Sequence, residues 1–211
     1  GRTVGTLPIE PGVEERAVEL MLGAKLDLGS ARSGAVPQKT GAARLSVKSI
    51  AAAPKLTDVS FDLQAGEVLG VVALEGQGQD ELFDVLAGFA APSAGTLAAD
   101  GAKVAFAHPG DAIARGITYV PGNRADALCA ERSVRENIAL PFAAQLADWG
   151  PLKRRKERER VDYAIDKLQI DTRAQGEVQR LSGGNQQKVT IGRWIAKGVE
   201  TLLLFDPTRG I

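Results

Sequence analysis

The chain reads LSGGNQQK at residues 181–188, and these eight residues are its most informative motif. A serine followed by two glycines comes just before an apolar run with helical spacing, formed by Val189, Ile191, Trp194 and Ile195. This order predicts a loop with bare backbone amides that opens onto the start of a helix. Such a start binds anions, because its unpaired N–H groups and the positive end of the helix dipole point at the ligand. The competing interpretation is an ordinary Ser-Gly-Gly turn that caps a surface helix.

A second motif favours the anion-binding interpretation. Residues 202–208 read LLLFDPT, an apolar run that ends in a turn. In this order the two stretches resemble the signature motif and the Walker B strand of ATP-binding cassette (ABC) proteins. Two ordered motifs would have to coincide by chance for the ordinary turn to be correct.

Composition limits the class of protein. The chain has 211 residues, 44% of them apolar, which is enough for one domain with a buried core plus appendages. Lys plus Arg and Asp plus Glu number 26 each, so no global field favours nucleic acid or an anionic membrane. The single cysteine, Cys129, excludes an internal disulfide framework. No apolar run approaches the roughly 20 residues that span a bilayer, so contact with a membrane needs a protein partner.

Periodicity predicts an α/β nucleotide-binding core with a more helical insert. Helical spacing marks a short helix at 13–22, and a Gly-, Ser- and Pro-rich stretch at 29–41 indicates a linker. Alternation over 45–63 predicts half-buried strands, and the continuous apolar run 68–74 predicts a fully buried strand. Farther along, the pattern predicts helices at 80–89, 111–115, 133–140 and 161–168, strands at 104–107 and 117–120, and a turn at 92–95.

The basic stretch at 153–160 raises the question of a nucleic-acid surface. Glu157 and Glu159 interrupt it, and no aromatic residue is interleaved. The pattern favours a solvated helix face, and we expect no nucleic-acid partner.

A glycine loop follows the predicted strand 68–74. In a Walker A loop a lysine reaches the outer phosphates and the next Ser or Thr binds magnesium. Gln79 and Asp80 stand at these two positions, after Gly76 and Gly78. A neutral amide cannot supply the charge of lysine, and Asp80 sets a carboxylate beside the triphosphate. We expect weak nucleotide binding over the two glycines and negligible hydrolysis, with a simple tight turn as the alternative.

The Walker B stretch is also altered, in either of two registers. With the pair Pro207-Thr208 as reference, Phe205 stands where the magnesium-binding aspartate belongs and Asp206 where the catalytic glutamate belongs. Counted from the apolar run, Asp206 is the metal residue and Pro207 takes the position of the base. Both registers leave a defective site, and we assign no metal ligand. Asp206 remains a candidate catalytic base, or a residue that merely caps the end of a strand.

Residues 117–124, which read ITYVPGNR, fall where these ATPases carry the loop that senses phosphate and touches the membrane subunit. The usual glutamine is absent and Gly122 stands in its place. Arg124 is a nearby charge that could meet a phosphate or a coupling helix of the permease. A plain surface turn is the alternative.

Within the ABC proteins the chain resembles the second, C-terminal nucleotide-binding half of the tandem ATPases of bacterial simple-sugar importers, of the ribose, xylose, arabinose and galactoside type. The resemblance rests on NQQK at 185–188, PTRG at 207–210 and the replaced Walker A lysine. That half usually has arginine and threonine at the positions of Gln79 and Asp80 and an acidic residue at that of Gly122, so this chain departs at three positions.

The resemblance also implies a domain organisation. Residues 1–28 resemble the tail of a preceding half, 29–42 a linker, and 43–211 a second nucleotide-binding domain with an antiparallel β subdomain and a helical insert at about 124–182. The chain stops before the aspartate loop and switch histidine of such ATPases, and its only histidine is His108. We therefore expect a fragment truncated at its C-terminus, inactive by itself.

In the family two halves clamp head to tail around ATP. The resemblance implies that Ser182, Gly183 and Gly184 cap the γ-phosphate of an ATP held by the preceding half, with Gln186 nearby. ATP and Mg²⁺ are the implied cofactors, bound mainly through the partner half. The implied partners are that half, permease subunits and, indirectly, a periplasmic sugar-binding protein, which places the chain on the inner face of the cell membrane. The alternatives are a soluble ABC ATPase of DNA repair or translation and a nucleotide-binding scaffold without turnover.

Overall fold

The structure, a computed structural model, describes residues 5–8, 13, 16–17, 20, 43–143, 154–171 and 176–207. The chain divides into two units, Gly1–Thr40 and Gly41–Ile211. In the first unit Val13, Ala17 and Leu20 are helical, within the stretch for which helical spacing predicts a helix. The predicted linker at 29–42 lies outside the described residues. Among the residues that the structure describes, no helix is both long and apolar enough to cross a membrane.

The second unit begins with an antiparallel sheet. Its strands are β1 (Leu45–Ala52), β2 (Leu56–Leu63), β3 (Ala94–Ala99) and β4 (Ala102–Val104), in the order β2-β1-β3-β4. Leu45 of β1 pairs with Leu63 of β2 and with Ala99 of β3. The half-buried strands predicted from the alternation over 45–63 are confirmed, they pair as a hairpin, and the expected antiparallel subdomain is confirmed.

Strand β3 was not predicted, because residues 92–95 carry the residue types of a turn. The strand starts at Ala94, inside that predicted turn. A methyl group at Gly95 would overlap the carbonyl oxygen of Ser49, so only glycine allows β3 to approach β1 this closely. The predicted strand at 104–107 was also misplaced, since β4 ends at Val104.

A parallel strand pair forms the second layer. Strands β5 (Ile117–Val120) and β6 (Thr201–Leu204) pair in register from Ile117↔Thr201 to Val120↔Leu204. Helices α1 (Gln79–Ala87) and α2 (Pro109–Ala114) complete this layer. One hydrophobic cluster joins it to the antiparallel sheet, and it includes Leu45, Ile50, Leu82, Val85, Leu86, Ile117 and Leu203. Parallel strands, helices and an antiparallel sheet around one core confirm the predicted α/β class.

The prediction of a buried strand at 68–74 was wrong. Residues 67–74 have no regular secondary structure, and Val68, Val72 and Leu74 are 97%, 98% and 73% exposed. A fully buried strand needs hydrogen-bonded neighbours and cover on both faces. Among the described strands, β5 and β6 pair with each other and none pairs with this segment. An apolar run indicates that a segment can be buried, but it does not indicate which other elements would pack against it.

The helical part has a core of its own. Helices α3 (Val134–Ala139), α4 (Arg154–Leu168) and α5 (Gly183–Lys197) surround a second hydrophobic cluster, which includes Ile138, Phe142, Val161, Ala164, Val178 and Val189. The predicted capping box of α3 is confirmed, because Ser133 Oγ accepts from Glu136 N at 3.2 Å and Glu136 Oε2 accepts from Ser133 N at 2.9 Å. The described part of the charged stretch at 153–160 forms the start of α4, and most of its residues there are exposed, as a solvated face requires.

Candidate nucleotide-binding site

The signature turn opens helix α5 as the sequence predicts. Ser182 is the residue before the helix, and its Oγ accepts hydrogen bonds from Asn185 N at 3.4 Å and from Asn185 Nδ2 at 3.2 Å. Gln186 Nε2 donates to the carbonyl oxygen of Leu181 at 3.0 Å. Lys188 Nζ donates to the carbonyl oxygen of Gln169, also at 3.0 Å. The polar side chains of the motif therefore fix the shape of the turn.

The backbone of the turn remains accessible. Ser182 is exposed and Gly183 and Gly184 are half-buried, and a methyl group at Gly184 would have no atom within 4 Å. The first N–H groups of a helix have no acceptor inside it. Within the part of the chain that the structure describes, Ser182 Oγ caps Asn185 N and no acidic residue lies in the first turn of α5. Free amides, an unopposed helix dipole and space above Gly184 together suit an anion.

The altered phosphate loop has a different arrangement. Gly76 and Gly78 both have positive φ, 77° and 99°, and Gly78 precedes α1 without a side-chain cap. A methyl group at Gly78 would lie 3.1 Å from Leu56 Cα, so the loop is packed tightly against the start of β2. Gln79 Oε1 accepts a hydrogen bond from Gln77 N at 2.9 Å. The same amide also donates to the Leu74 carbonyl oxygen at 3.2 Å, so the Gln77 N–H is already engaged within the loop.

Acidic side chains follow this loop in the first turns of α1. Asp80 and Glu81 lie in the first turn of α1. The pKa of Asp84, one turn farther along, is raised by desolvation and then by the charges of Asp80 and Glu81. The pKa of Tyr119 is raised by desolvation and then by Asp84, Asp80 and Asp126. A triphosphate placed here would meet carboxylates where a lysine is the usual partner.

Lys55 is a cation beside the loop that sequence reasoning missed. A methyl group at Gly76 would lie 3.0 Å from Lys55 Nζ. Lys55 belongs to the turn between β1 and β2 and is exposed. Its position depends on how that hairpin packs against the loop, which no motif in the sequence encodes.

The end of β6 is apolar where one register requires a metal ligand. The ring of Phe205 meets Phe83 of α1 edge to face at a centroid distance of 5.3 Å and lies 6.3 Å from Tyr119 of β5. Asp206 follows, exposed and with a φ of 43°. Within the described ranges, no group of three His, Cys, Asp or Glu side chains is arranged to hold a metal. Phe205 and Gln79 do not fit a magnesium triphosphate complex on this loop.

The candidate coupling loop lies against that strand end. Gly122 is buried, and a methyl group there would lie 2.9 Å from the carbonyl oxygen of Phe205 and 3.3 Å from Asp206 Cβ. The structure thus brings Gly122 and Asp206 together and leaves no room for a side chain at position 122. Arg124 begins a 3-10 turn, Arg124–Asp126, that Asn123 caps by accepting from Ala125 N at 3.2 Å.

A second residue that sequence reasoning missed links this loop to the signature helix. Arg193 of α5 is 9% exposed, and its Nη1 donates to the carbonyl oxygen of Ala127. Arg193 shares the buried face of the helix with Val189 and Ala196. A charged residue on an apolar helical face is a signal that the sequence does contain.

Comparison with known protein families identifies the family of this chain. The family model described as ABC transporter matches residues 56–209. The chain belongs to the ABC transporter family. This confirms the resemblance drawn from the signature motif and the Walker B strand, and the match covers both altered loops.

Curated relatives of this ABC chain are named as importer ATPases. It is 35% identical over 213 residues to the ribose import ATP-binding protein RbsA of Bacillus licheniformis, covering 100% of this chain and 43% of that protein. It is 37% identical to the ribose import ATP-binding protein of Chromobacterium violaceum, covering 93% and 39%. A putative ribose/galactose/methyl galactoside import ATP-binding protein of Agrobacterium fabrum is 35% identical, covering 83% and 36%. The chain thus spans about two fifths of the length of these relatives.

Solved ABC structures share the fold. The protein cbiO1 of Clostridium perfringens, part of the ABC transporter complex cbiONQ, aligns over 80% of this chain and 67% of its own, with a TM-score of 0.69 and 22% identity. A dimeric ATP-binding cassette bound to ADP and Pi aligns over 79% and 75%, with a TM-score of 0.66 and 21% identity. These likenesses confirm the ABC-type P-loop fold.

Proposed function

We propose that this ABC chain is the second nucleotide-binding half of a sugar-importer ATPase, in which it offers its signature turn to an ATP held by another half. The main support for this proposal is the difference between its two glycine-containing loops, the turn at 182–184 and the loop at 76–80. The turn at Ser182 has free amides and no acid in its first turn, whereas the loop at Gly78 is occupied by Gln79 and flanked by Asp80. One loop suits a phosphate and the other does not.

This difference implies different roles for the two loops in ATP binding. Ser182, Gly183 and Gly184 contact the γ-phosphate of ATP whose Mg²⁺ and remaining phosphates are bound by the partner half. Gln186 holds the turn in shape through Leu181, and the altered loop supports no turnover of its own. Asp206 keeps the role of a weak candidate base, because its neighbour Phe205 cannot ligate a metal and Gln79 cannot neutralise a phosphate.

The import function rests on the relatives, whose printed names are those of ribose or ribose/galactose importers. Under this proposal the partners are a preceding nucleotide-binding half, membrane permease subunits and, through them, a periplasmic sugar-binding protein. The chain then sits at the inner face of the cell membrane without entering it. The loop that contains Gly122 and Arg124 meets the permease, with Gly122 buried against the end of β6.

Substitutions in the full-length protein test this proposal. Ser182→Arg places a bulky cation over the free amides, and Gly184→Asp places a carboxylate in the space that a phosphate needs. Both should abolish phosphate release, whereas Gln79→Ala should change the rate less than about twofold, since the residue contributes no charge. A large loss from Gln79→Ala would refute the unequal division.

Ser133→Arg is the matched control. It removes the equivalent cap of α3 without touching the signature turn, so it should lower thermal stability by about 1 kcal/mol and leave phosphate release intact. If Ser133→Arg stops release as completely as Ser182→Arg, the effect is a loss of folding and the nucleotide role is unsupported. Uptake of ribose and other simple sugars by a strain that lacks the full-length protein tests the import part, and unaltered uptake of all of them would contradict it.

A scaffold that binds nucleotide without turnover is the second candidate, and Gln79 and Phe205 favour it. Phosphate release by the full-length protein, lost in Gly184→Asp, would exclude it.

A further inference from the structure

Arg193 is a buried cation, and its burial costs desolvation free energy. Its guanidinium is buried between helix α5 and the segment that follows the 3-10 turn Arg124–Asp126, and burial lowers its pKa. Its Nη1 donates to the Ala127 carbonyl oxygen, while its Nε is buried with no hydrogen-bond partner among the described residues. Its Cζ lies 5.6 Å from the centroid of the Trp194 ring.

A buried cation of this kind contributes little stability. Replacing a buried charge by a well-packed apolar side chain is often neutral or stabilising, because desolvation offsets the electrostatic gain. An aliphatic residue would fill the same face of α5, beside Val189 and Ala196, without burying an unpartnered Nε, at the loss of the hydrogen bond to the Ala127 carbonyl. The guanidinium therefore calls for a role other than filling the core.

The bond of Arg193 joins two elements of the proposed site. Helix α5 starts at the signature turn, and Ala127 ends the loop that starts at Gly122. The other end of this loop is in contact with the carbonyl oxygen of Phe205 and with Asp206, and just beyond Ala127 the backbone N–H of Cys129 donates to Asn137 Oδ1 at 2.8 Å. The loop is thus held at the strand end, at α3 and, through Arg193, at the signature helix.

We propose that Arg193 is a positioning residue that couples the signature helix to the loop 122–127, so that nucleotide engagement at Ser182 displaces both together. This inference rests on the proposed function of the signature turn. A side chain that reaches from α5 to the loop backbone transmits a rigid-body shift of the helix because the bond is made to a main-chain atom. No rearrangement of loop side chains is needed.

Hydrogen–deuterium exchange of the full-length protein, with and without ATP and Mg²⁺, tests the coupling. In the parent protein ATP should slow exchange at 181–188 and also change exchange at 122–128. In Arg193→Met, which keeps the apolar contacts of the side chain, the change at 181–188 should persist while that at 122–128 should be lost. Arg193→Lys keeps one donor and should recover part of the response.

Lys197→Met is the matched control. Lys197 lies on the same helix and also donates to a backbone carbonyl, that of Pro141 at 3.0 Å, but it does not reach the loop. Its variant should retain the ATP response of both segments.

The outcomes separate the two proposals. An ATP response at 122–128 that persists in Arg193→Met overturns the coupling role and leaves the proposed function standing. No ATP response at 181–188 in the parent refutes the proposed function and the inference with it. If Arg193→Met does not fold, Arg193→Lys decides: a reduced response at 122–128 with the response at 181–188 intact supports the coupling, and a full response at 122–128 overturns it.

Discussion

The aromatic contact of Phe205 offers a test of how the altered site is built. Phe205 stands where one register of the Walker B stretch requires a magnesium ligand, and it instead meets Phe83 at 5.3 Å and Tyr119 at 6.3 Å. If Phe205 serves to make these contacts, removing them should lower the free energy of unfolding and should not increase the rate of phosphate release. The substitutions Phe205→Leu and Phe205→Asp separate the two effects.

The expected loss of unfolding free energy follows from the contacts of the Phe205 ring. Phe205→Leu keeps most of the apolar area but loses two aromatic pairs, each worth about 0.5–1.5 kcal/mol, so the free energy of unfolding should fall by about 1–3 kcal/mol. Phe205→Asp also loses the apolar area of a half-buried ring, roughly half of the 3–5 kcal/mol of a fully buried one, and should cost about 3–5 kcal/mol in all. Asp206→Asn is the control, because asparagine tolerates the positive φ of this exposed neighbour.

Urea unfolding of the full-length protein, followed by tryptophan fluorescence, measures the change in stability, and phosphate release measures activity. The urea midpoint should be highest for the parent, lower for Phe205→Leu and lowest for Phe205→Asp. Asp206→Asn should leave the midpoint unaltered. No variant should release phosphate faster than the parent. A Phe205→Asp protein that is as stable as the parent, or that releases phosphate faster, would refute the packing role.

Two further predictions concern stability. Gly122→Ala places a methyl group 2.9 Å from the Phe205 carbonyl oxygen, and the resulting shift should cost about 1–3 kcal/mol; Gly184→Ala meets open space and should be neutral or stabilising by up to about 1 kcal/mol. Thermal midpoints check both, and equal shifts would contradict the close packing at Gly122. The raised pKa of Asp84 means that the folded protein binds its proton more tightly than the unfolded chain does, so stability falls as pH rises from the ordinary value of 3.8 through the raised one. Asp84→Asn should therefore raise the urea midpoint at pH 7 and not at pH 3, and a gain of the same size at both pH values would show that the charge is not responsible.

Local signals in the sequence predicted the helix starts well. The capping box of Ser133 and Glu136 and the serine cap at Ser182 involve residues within one turn of each other, so the pattern contains the whole interaction. The hairpin of β1 and β2 was predictable for the same reason, since alternation reports a sheet with one buried face. The matching family model then confirmed what the two ordered motifs indicated.

Predictions that depend on tertiary neighbours were less successful. The apolar run at 68–74 is exposed because no described strand lies beside it, and β3 was missed because Gly95 and its small neighbours have no strand signal. Lys55, Arg193 and the ring contacts of Phe205 reach the site from distant parts of the chain, through packing that no spacing rule describes. The contact of Gly122 with Phe205 is of the same kind.

The most direct test of the central claim is the pre-steady-state burst of phosphate when the full-length protein is mixed with excess ATP and Mg²⁺. One productive site predicts a burst of about one phosphate per molecule, unchanged in Gln79→Ala and absent in Gly184→Asp. A burst of about two phosphates per molecule, or one that Gln79→Ala abolishes, would contradict the claim that this chain contributes its signature turn and not its own phosphate loop.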